Sequence, residues 1–331
     1  MATVITDSRE ELLTQVSELI GKKLGDKAGP VAAFAAQFLN QYPLEDLAGR
    51  RLADVYGCIY TCWDFIQQRT AGEPKIRVFN PRLEEHGWEC SHTVVCVLQR
   101  DMPFLVDSVR MEINRRNTVI HSIKSTVMQL QRGENGRLQQ LLPPGHKDEE
   151  GRQDDPSVSS EALIYLEINL DTSASHASEL GRSLREILSD VELVVDDYVP
   201  MLDTCAAMED QLHTGVADNA ANLEEASAFL QWMRDGNFTF LGYREYEFCQ
   251  QGDKKVLCEV DNRRLGIFKN LEQPAEPTPE YAFNEGKQRF YQGPNFLTFA
   301  KSSVKSRVHR AAYSDYVSIK RYDADGEVIG E

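Results

Sequence analysis

The sequence predicts an α+β chain: a helical N-terminal segment, a ferredoxin-like α/β sandwich, and a second mixed α/β domain on an antiparallel sheet. Three observations carry this reading. Apolar residues recur at helical spacing through the first 70 residues. Near residue 75 the period drops to two and the runs become rich in β-branched residues. From there to about 214 the order is strand, helix, strand, strand, helix, with one long polar loop. That connectivity lays two helices on one face of an antiparallel sheet. A chain of 331 residues has room for about two domains at roughly 100–200 residues each. The expected division is 1–72 as a helical segment packed on the first domain, 73–214 as that domain, and 215–331 as the second.

The helical segment holds three stripes. Leu12, Leu13, Val16, Leu19 and Ile20 form the first, with Ser8 and Glu11 as a capping box. GDKAGP (25–30) breaks it, and Val31, Phe34, Ala35, Phe38 and Leu39 form the second. Pro43 opens a third helix carrying Leu52, Val55, Tyr56, Ile59, Cys62, Trp63 and Ile66 on one side. KIRVFNP (75–81) and HTVVCVLQR (92–100) read as strands. Asp101 is the expected N-cap of the helix that follows, with Pro103 in its first turn. TVIHSIKSTVMQLQR (118–132) and RLQQLL (137–142) form a hairpin about GENG (133–136). Residues 143–160 are polar and rich in Pro and Gly, a mobile loop, and EALIYLEINL (161–170) is a strand.

A heptad seam follows. Leu180, Leu184, Ile187, Val191, Val194, Tyr198, Met201, Cys205, Met208 and Leu212 step by fours and threes. Pro200 should split this stretch near 196–199 into two helices packed within the chain; the alternative is an interchain dimer helix. Beyond it come a helix at 219–235, an aromatic strand at 238–248, a hairpin that sets Cys249 opposite Cys258, and strands at 295–310 and 315–323. The final run, EVIGE, holds five residues of a hairpin strand, so the second domain is expected to be incomplete and the chain to be a piece of a longer protein.

Composition narrows the function. The 36 Lys and Arg against 52 Asp and Glu give −16, which disfavours nucleic acid, whose largest binding term is phosphate neutralisation. No apolar run approaches the roughly 18–20 residues of a membrane span, and the first residues are not a signal peptide. Seven cysteines without a CxxC pair suit the cytoplasm, where Cys249 and Cys258 would stay thiols. No GxGxxG follows a strand, and there is no phosphate loop, HExxH or GxSxG. His86 and His92 have no evident carboxylate partner and read as surface residues; His121 reads as structural. No catalytic, cofactor or metal residue is expected.

Two places remain for a ligand or an interdomain contact. One is the turn Arg100, Asp101, Met102, Pro103, where a strand meets a helix N-terminus. Residues 100–132 are locally basic, with six Lys and Arg against three acids. The other is the stretch 301–321, with six Lys and Arg against Asp315 alone. Alternation along a strand would put Lys301, Lys305, Arg307 and His309 on one face, with Arg310 beside them.

RDMPFLVDSVRMEINRRNTVIHSIKST, AFLQWMRDGNFTFLGYREYEF and KSRVHRAAYSDYVSIKRYDADGEVIGE resemble, in order and spacing, the N-terminal region of the large bacterial NAD-specific glutamate dehydrogenases. The resemblance spans most of residues 30–331. It implies an ACT-like domain at 73–214 and a PAS-type domain at 215–331. The dehydrogenase domain, with NAD and its active-site lysine, would lie downstream, so this region would carry no cofactor. It would serve assembly or allosteric sensing, with the downstream domains, further copies of the parent chain, and an amino-acid or carboxylic-acid effector as partners. A freestanding sensor or dimerisation module is the alternative. ACT domains often open their first helix with D-x-P-G-x-L; here Asp101 and Pro103 match, and Phe104 stands where the glycine would be.

Overall fold

The computed structural model describes residues 8–40, 42–47, 49–145, 157–214, 220–252, 254–270 and 285–331. The centre of the polar loop at 143–160 therefore lies outside the described residues, as do the loop at 273–280 and the boundary at 215. The chain divides into two compact units, residues 1–188 and 189–331.

In the first unit, α1 (Arg9–Leu24), α2 (Ala28–Asn40) and α3 (Leu52–Ile66) follow the three apolar stripes. Pro43 does not open α3. It precedes a single 3₁₀ turn, Leu44–Asp46, and the helix begins six residues later at Leu52. The sheet contains β1 (Lys75–Phe79), β2 (Thr93–Arg100), β3 (Ile120–Arg132), β4 (Leu138–Leu141) and β5 (Val158–Ile168). The short helix α4 (Leu83–His86) separates the first two strands. The strand order is β1-β2-β5-β3-β4, and every pairing is antiparallel. The helix α5 (Leu105–Arg115) crosses from β2 to β3, and α6 (Ala174–Asp196) follows β5. This is the ferredoxin-like arrangement, with its fourth strand position filled from the N-terminal side by β1.

Both faces of the sheet are covered, which is why β2 reads as an unbroken apolar run and is buried from Thr93 to Gln99. Val94, Cys96, Leu98, Met128, Leu130, Leu163 and Tyr165 pack with α1–α3 in one core. Val95, Val97, Ile164 and Leu166 point the other way by strand alternation, to the side of α5 and α6. Gly57 lets α3 approach the loop before β2: a Cβ there would lie 2.4 Å from the Cβ of buried Trp88. Trp88 in turn donates its Nε1–H to Thr61 Oγ1 at 2.9 Å.

In the second unit, α7 (Tyr198–Thr214) and α8 (Ala220–Trp232) form a core with Phe296 through Cys205, Leu212, Ala226, Leu230 and Met233. Pro200 is the third residue of α7, where its missing N–H costs nothing, and the helix break falls at Asp197, as the proline predicts. Nine of the ten seam residues are buried within the chain; Tyr198 at the break is exposed. The strands are β6 (Gly242–Tyr243), β7 (Tyr246–Gln251), β8 (Lys254–Glu259), β9 (Leu265–Gly266), β10 (Leu297–Lys305), β11 (Tyr313–Ile319), β12 (Arg321–Tyr322) and β13 (Val328–Gly330), with α9 (Glu285–Gln292) between β9 and β10. They form a sheet β12-β13-β7-β8, a ribbon β10-β11 and a short pair β6-β9.

Two expectations are corrected here. The β7–β8 turn closes with Gln251 opposite Lys254, so Cys249 faces Val256, and Cys258 faces Glu247. The two cysteines are diagonal neighbours with Cα atoms 5.8 Å apart, and they are joined as a disulfide rather than held as thiols. The strand expected over 295–310 ends at Lys305, after a bulge between Lys301 and Lys305.

Candidate functional site

The structure sets the two sequence-predicted places in turns. Arg100 ends β2, and the Asp101 N–H donates to Ser160 O at 2.8 Å. Met102 is buried and Pro103 exposed. Asp101 is not the N-cap. Helix α5 starts at Leu105, and its N-cap is Phe104, with φ 71° and ψ −3°. Phe104 thus adopts the left-handed conformation that glycine takes without cost. Beside this turn, the side chain of Gln99 is buried, and neither of its amide atoms has a hydrogen-bond partner among the described residues.

Arg307, His309 and Arg310 lie in the connection between β10 and β11, not on a strand. The connection is closed by Ser306 N–H to Ala312 O at 2.9 Å and Arg310 N–H to Val308 O at 2.9 Å, with His309 at φ 71°. The single basic face therefore does not form, and Lys301 instead pairs with Asp315 at 2.6 Å on the facing strand.

The most developed polar site was missed by sequence reasoning. It lies between the sheet and the helical layer of the first unit. Strand alternation aims Ser122 and Lys124 of β3, and Tyr165 and Glu167 of β5, at the helical layer. The register sets Ser122 against Glu167 and Lys124 against Tyr165. From the α2–α3 connection come Tyr42, Asp46 and Arg50. Glu167 is fully buried, and Arg50 bonds both its oxygens at 2.7 Å. The Tyr165 hydroxyl donates to Glu167 at 2.9 Å, and Tyr42 lies at 3.5 Å. His92, just before β2, brings Nδ1 to 3.3 Å from Glu167 Oε2. Lys124 sits 3.0 Å from the Tyr42 ring centroid, donates to Ser122 Oγ at 2.7 Å, and has Asp46 at 4.0 Å.

The charges in this site compensate in pairs, Glu167 with Arg50 and Lys124 with Asp46. Burial alone would raise the Glu167 carboxyl, but the Arg50, Tyr165 and Lys124 contacts outweigh it and hold the pKa at about 2. Burial lowers Lys124 to about 8 and raises the Cys90 thiol to about 11. Cys90, His92 and Glu167 present donor atoms within 4.8 Å of one another, a grouping that could hold a metal ion. His92 was read as a surface residue without a carboxylate; its partner lies 75 residues away in sequence.

Two further buried carboxylates hold the same unit together. Glu161 takes Arg132 Nε at 2.6 Å and Arg69 Nε at 3.0 Å, joining β5, β3 and the end of α3. Glu112 on α5 accepts from Arg115 at 2.7 Å, from Arg116 at 3.1 Å and from Ser183 on α6. A sequence signal did exist for Glu161 and Glu167. EALIYLEINL places two carboxylates on one parity of a buried strand, where a charge must find a partner.

The ferredoxin-like sheet with its β2–α5 turn defines a domain of the ACT class. Residues 34–184 match the family model described as "Glutamate dehydrogenase, ACT1 domain". Over 330 residues, 98% of its length, the chain is 42% identical to the NAD-specific glutamate dehydrogenase of Halomonas elongata. It is 36% identical over its full length to that of Pseudomonas aeruginosa, and 23% identical over 80% of its length to that of Mycobacterium tuberculosis. The chain belongs to this family, as an N-terminal region. It spans about a fifth of the length of the first two relatives.

Proposed function

We propose that the chain is the regulatory and assembly region of an NAD-dependent glutamate dehydrogenase, with no catalytic residue of its own. The parent enzyme would convert L-glutamate, NAD and water to 2-oxoglutarate, ammonia and NADH, with NAD bound in a downstream domain. The observation that carries this is the ACT1 match over residues 34–184, in a chain 42% identical to an enzyme named for that activity. The first unit carries the ACT-like sheet, and the antiparallel sheet β12-β13-β7-β8 supports a PAS-type assignment for the second. The partners are the downstream domains and further copies of the parent chain. The buried thiols of Cys58, Cys62, Cys96 and Cys205 favour the cytoplasm, against which the Cys249–Cys258 disulfide counts.

Sensing of an amino acid or carboxylic acid is the second part of the proposal. It is favoured by Gln99, whose buried amide is unpartnered next to the β2–α5 turn. A buried polar group without a partner costs about 1–3 kcal/mol, which a ligand atom would recover. The isolated chain, supplied with L-glutamate and NAD, is expected to form no NADH; turnover would refute the regulatory assignment. Isothermal titration with amino acids and dicarboxylic acids tests sensing, and Gln99→Leu is expected to remove the binding heat. Binding unaffected by Gln99→Leu would remove this turn as the sensor.

A further inference from the structure

Cys90 and His92 lie two residues apart in the bend leading into β2, and Glu167 lies one residue before the end of β5. The β2–β5 register puts Val94 against Glu167, which carries the bend to the carboxylate. One atom, His92 Nδ1, faces both neighbours, Cys90 Sγ at 3.9 Å and Glu167 Oε2 at 3.3 Å. A ring nitrogen carries either a proton or a lone pair, so it serves one of these contacts at a time. A thiolate–imidazole pair oriented by a carboxylate would use both ring nitrogens, one for each neighbour. Three donors converging on a common centre are the arrangement a cation satisfies all at once.

The His92–Glu167 and Cys90–His92 separations suit a borderline-soft divalent ion, and all three donors lie within 4.8 Å of one another. Metal–nitrogen and metal–oxygen bonds of about 2.0–2.2 Å at tetrahedral angles set N and O about 3.3–3.5 Å apart. The observed separation is 3.3 Å. A thiolate bond of about 2.3 Å sets S and N about 3.6 Å apart, so the Cys90–His92 spacing of 3.9 Å needs to close by only ~0.3 Å. The surroundings suit ligation too. Arg50 holds the Glu167 carboxylate by one bond to each oxygen, which fixes its orientation and leaves a lone pair on Oε2. The His92 ring stacks on His121, centroids 4.2 Å apart and planes 25° apart, so its plane is set. Cys90 and His92 are partly exposed while Glu167 is buried, so an ion would enter from solvent and meet its carboxylate last.

We propose that Cys90, His92 and Glu167 bind one divalent metal ion of the zinc class, with a fourth position open to water. A mixed S, N, O donor set favours zinc over magnesium or calcium, which take oxygen ligands.

The test uses the whole chain, reduced, stripped with a chelator and titrated with Co²⁺ as a spectroscopic substitute. One equivalent is expected to give the visible bands of a four-coordinate site and a near-ultraviolet thiolate-to-cobalt band, both displaced by Zn²⁺. Cys90→Ser is expected to abolish the thiolate band and to weaken Zn²⁺ binding by at least about 100-fold. His92→Ala, outside the strands, is expected to weaken it similarly, and circular dichroism checks that each variant folds. Cys249→Ser is expected to leave the spectrum unchanged. A wild-type chain without the thiolate band, a band that survives Cys90→Ser, or a band lost in Cys249→Ser would overturn the proposal.

Discussion

Replacing Glu167 by Gln tests whether the buried ion pair beneath the sheet holds the first unit together. The amide is nearly isosteric, but its NH₂ faces the Arg50 guanidinium, which loses the negative charge and one of the two acceptor oxygens it bonds at 2.7 Å. The magnitude follows from proton linkage. The carboxyl is held at about 2 against an ordinary 4.5. At about 1.4 kcal/mol for each tenfold change in proton affinity, that corresponds to about 3 kcal/mol. Breaking a buried pair from one side costs about 3–5 kcal/mol, which agrees. For a unit of this size, about 3 kcal/mol is a drop in Tm of about 6–12 °C. The sign in pH is fixed. A carboxyl depressed in the folded state contributes its full stabilisation above pH 4.5 and loses it as pH falls towards about 2. Scanning calorimetry with chelator present, from pH 7 down to pH 2, reads both effects. Glu167→Gln should lower Tm at pH 7, and its difference from the wild type should shrink below pH 4.5. A shift under about 2 °C at neutral pH, or a difference that does not change on acidification, would refute the reasoning.

The remaining predictions rest on single contacts. Phe104→Gly should be more stable than Phe104→Ala by about 1 kcal/mol, because both lose the ring but only glycine relieves the left-handed backbone; denaturant titration compares them. Gly57→Ala should destabilise by about 1–3 kcal/mol despite the better helix propensity of alanine, since its Cβ meets the buried Trp88. Thermal unfolding reads it, with the loss of tryptophan fluorescence as a local signal. Ser183→Ala removes the α6 hydroxyl from Glu112 and should cost about 1 kcal/mol. It should also raise the Glu112 carboxyl from about 2, where burial is outweighed by Arg115, Ser183 and Arg116, so that acid unfolding begins at higher pH.

Periodicity carried much of the fold, because its signals are local. The helical stripes of α1 and α2, the switch to alternating strands near residue 75 and the break forced by Pro200 all follow from residues within one or two turns of each other. The site was less legible because its members are far apart in sequence. Glu167 meets Arg50 across 117 residues and Tyr42 across 125. Only the strand order β2-β5-β3 brings Lys124, His92 and Glu167 to one place, and spacing along the chain does not encode that order. The β2–α5 turn failed for a different reason. Asp101 has the chemistry of an N-cap, but its backbone N–H still pairs with Ser160 in line with the strands, and the helix begins four residues later at Leu105, capped by Phe104. The basic stretch failed at a bulge after Lys301, where alternation stops being a guide to facing.

The position of β5 has a consequence for how the first unit assembles. It is the last of the five strands to be synthesised, yet it lies at the centre of the sheet. Until residues 158–168 leave the ribosome, β1–β2 and β3–β4 are two separate ribbons, each with an unpaired inner edge. Arrival of this one strand zips both edges, and it carries Glu161 and Glu167 into place in the same motion. The arginines waiting on either side, Arg69, Arg132 and Arg50, acquire their counter-charges only then. The sheet therefore closes like an arch on its keystone: without residues 158–168, β2 and β3 each present an unpaired inner edge.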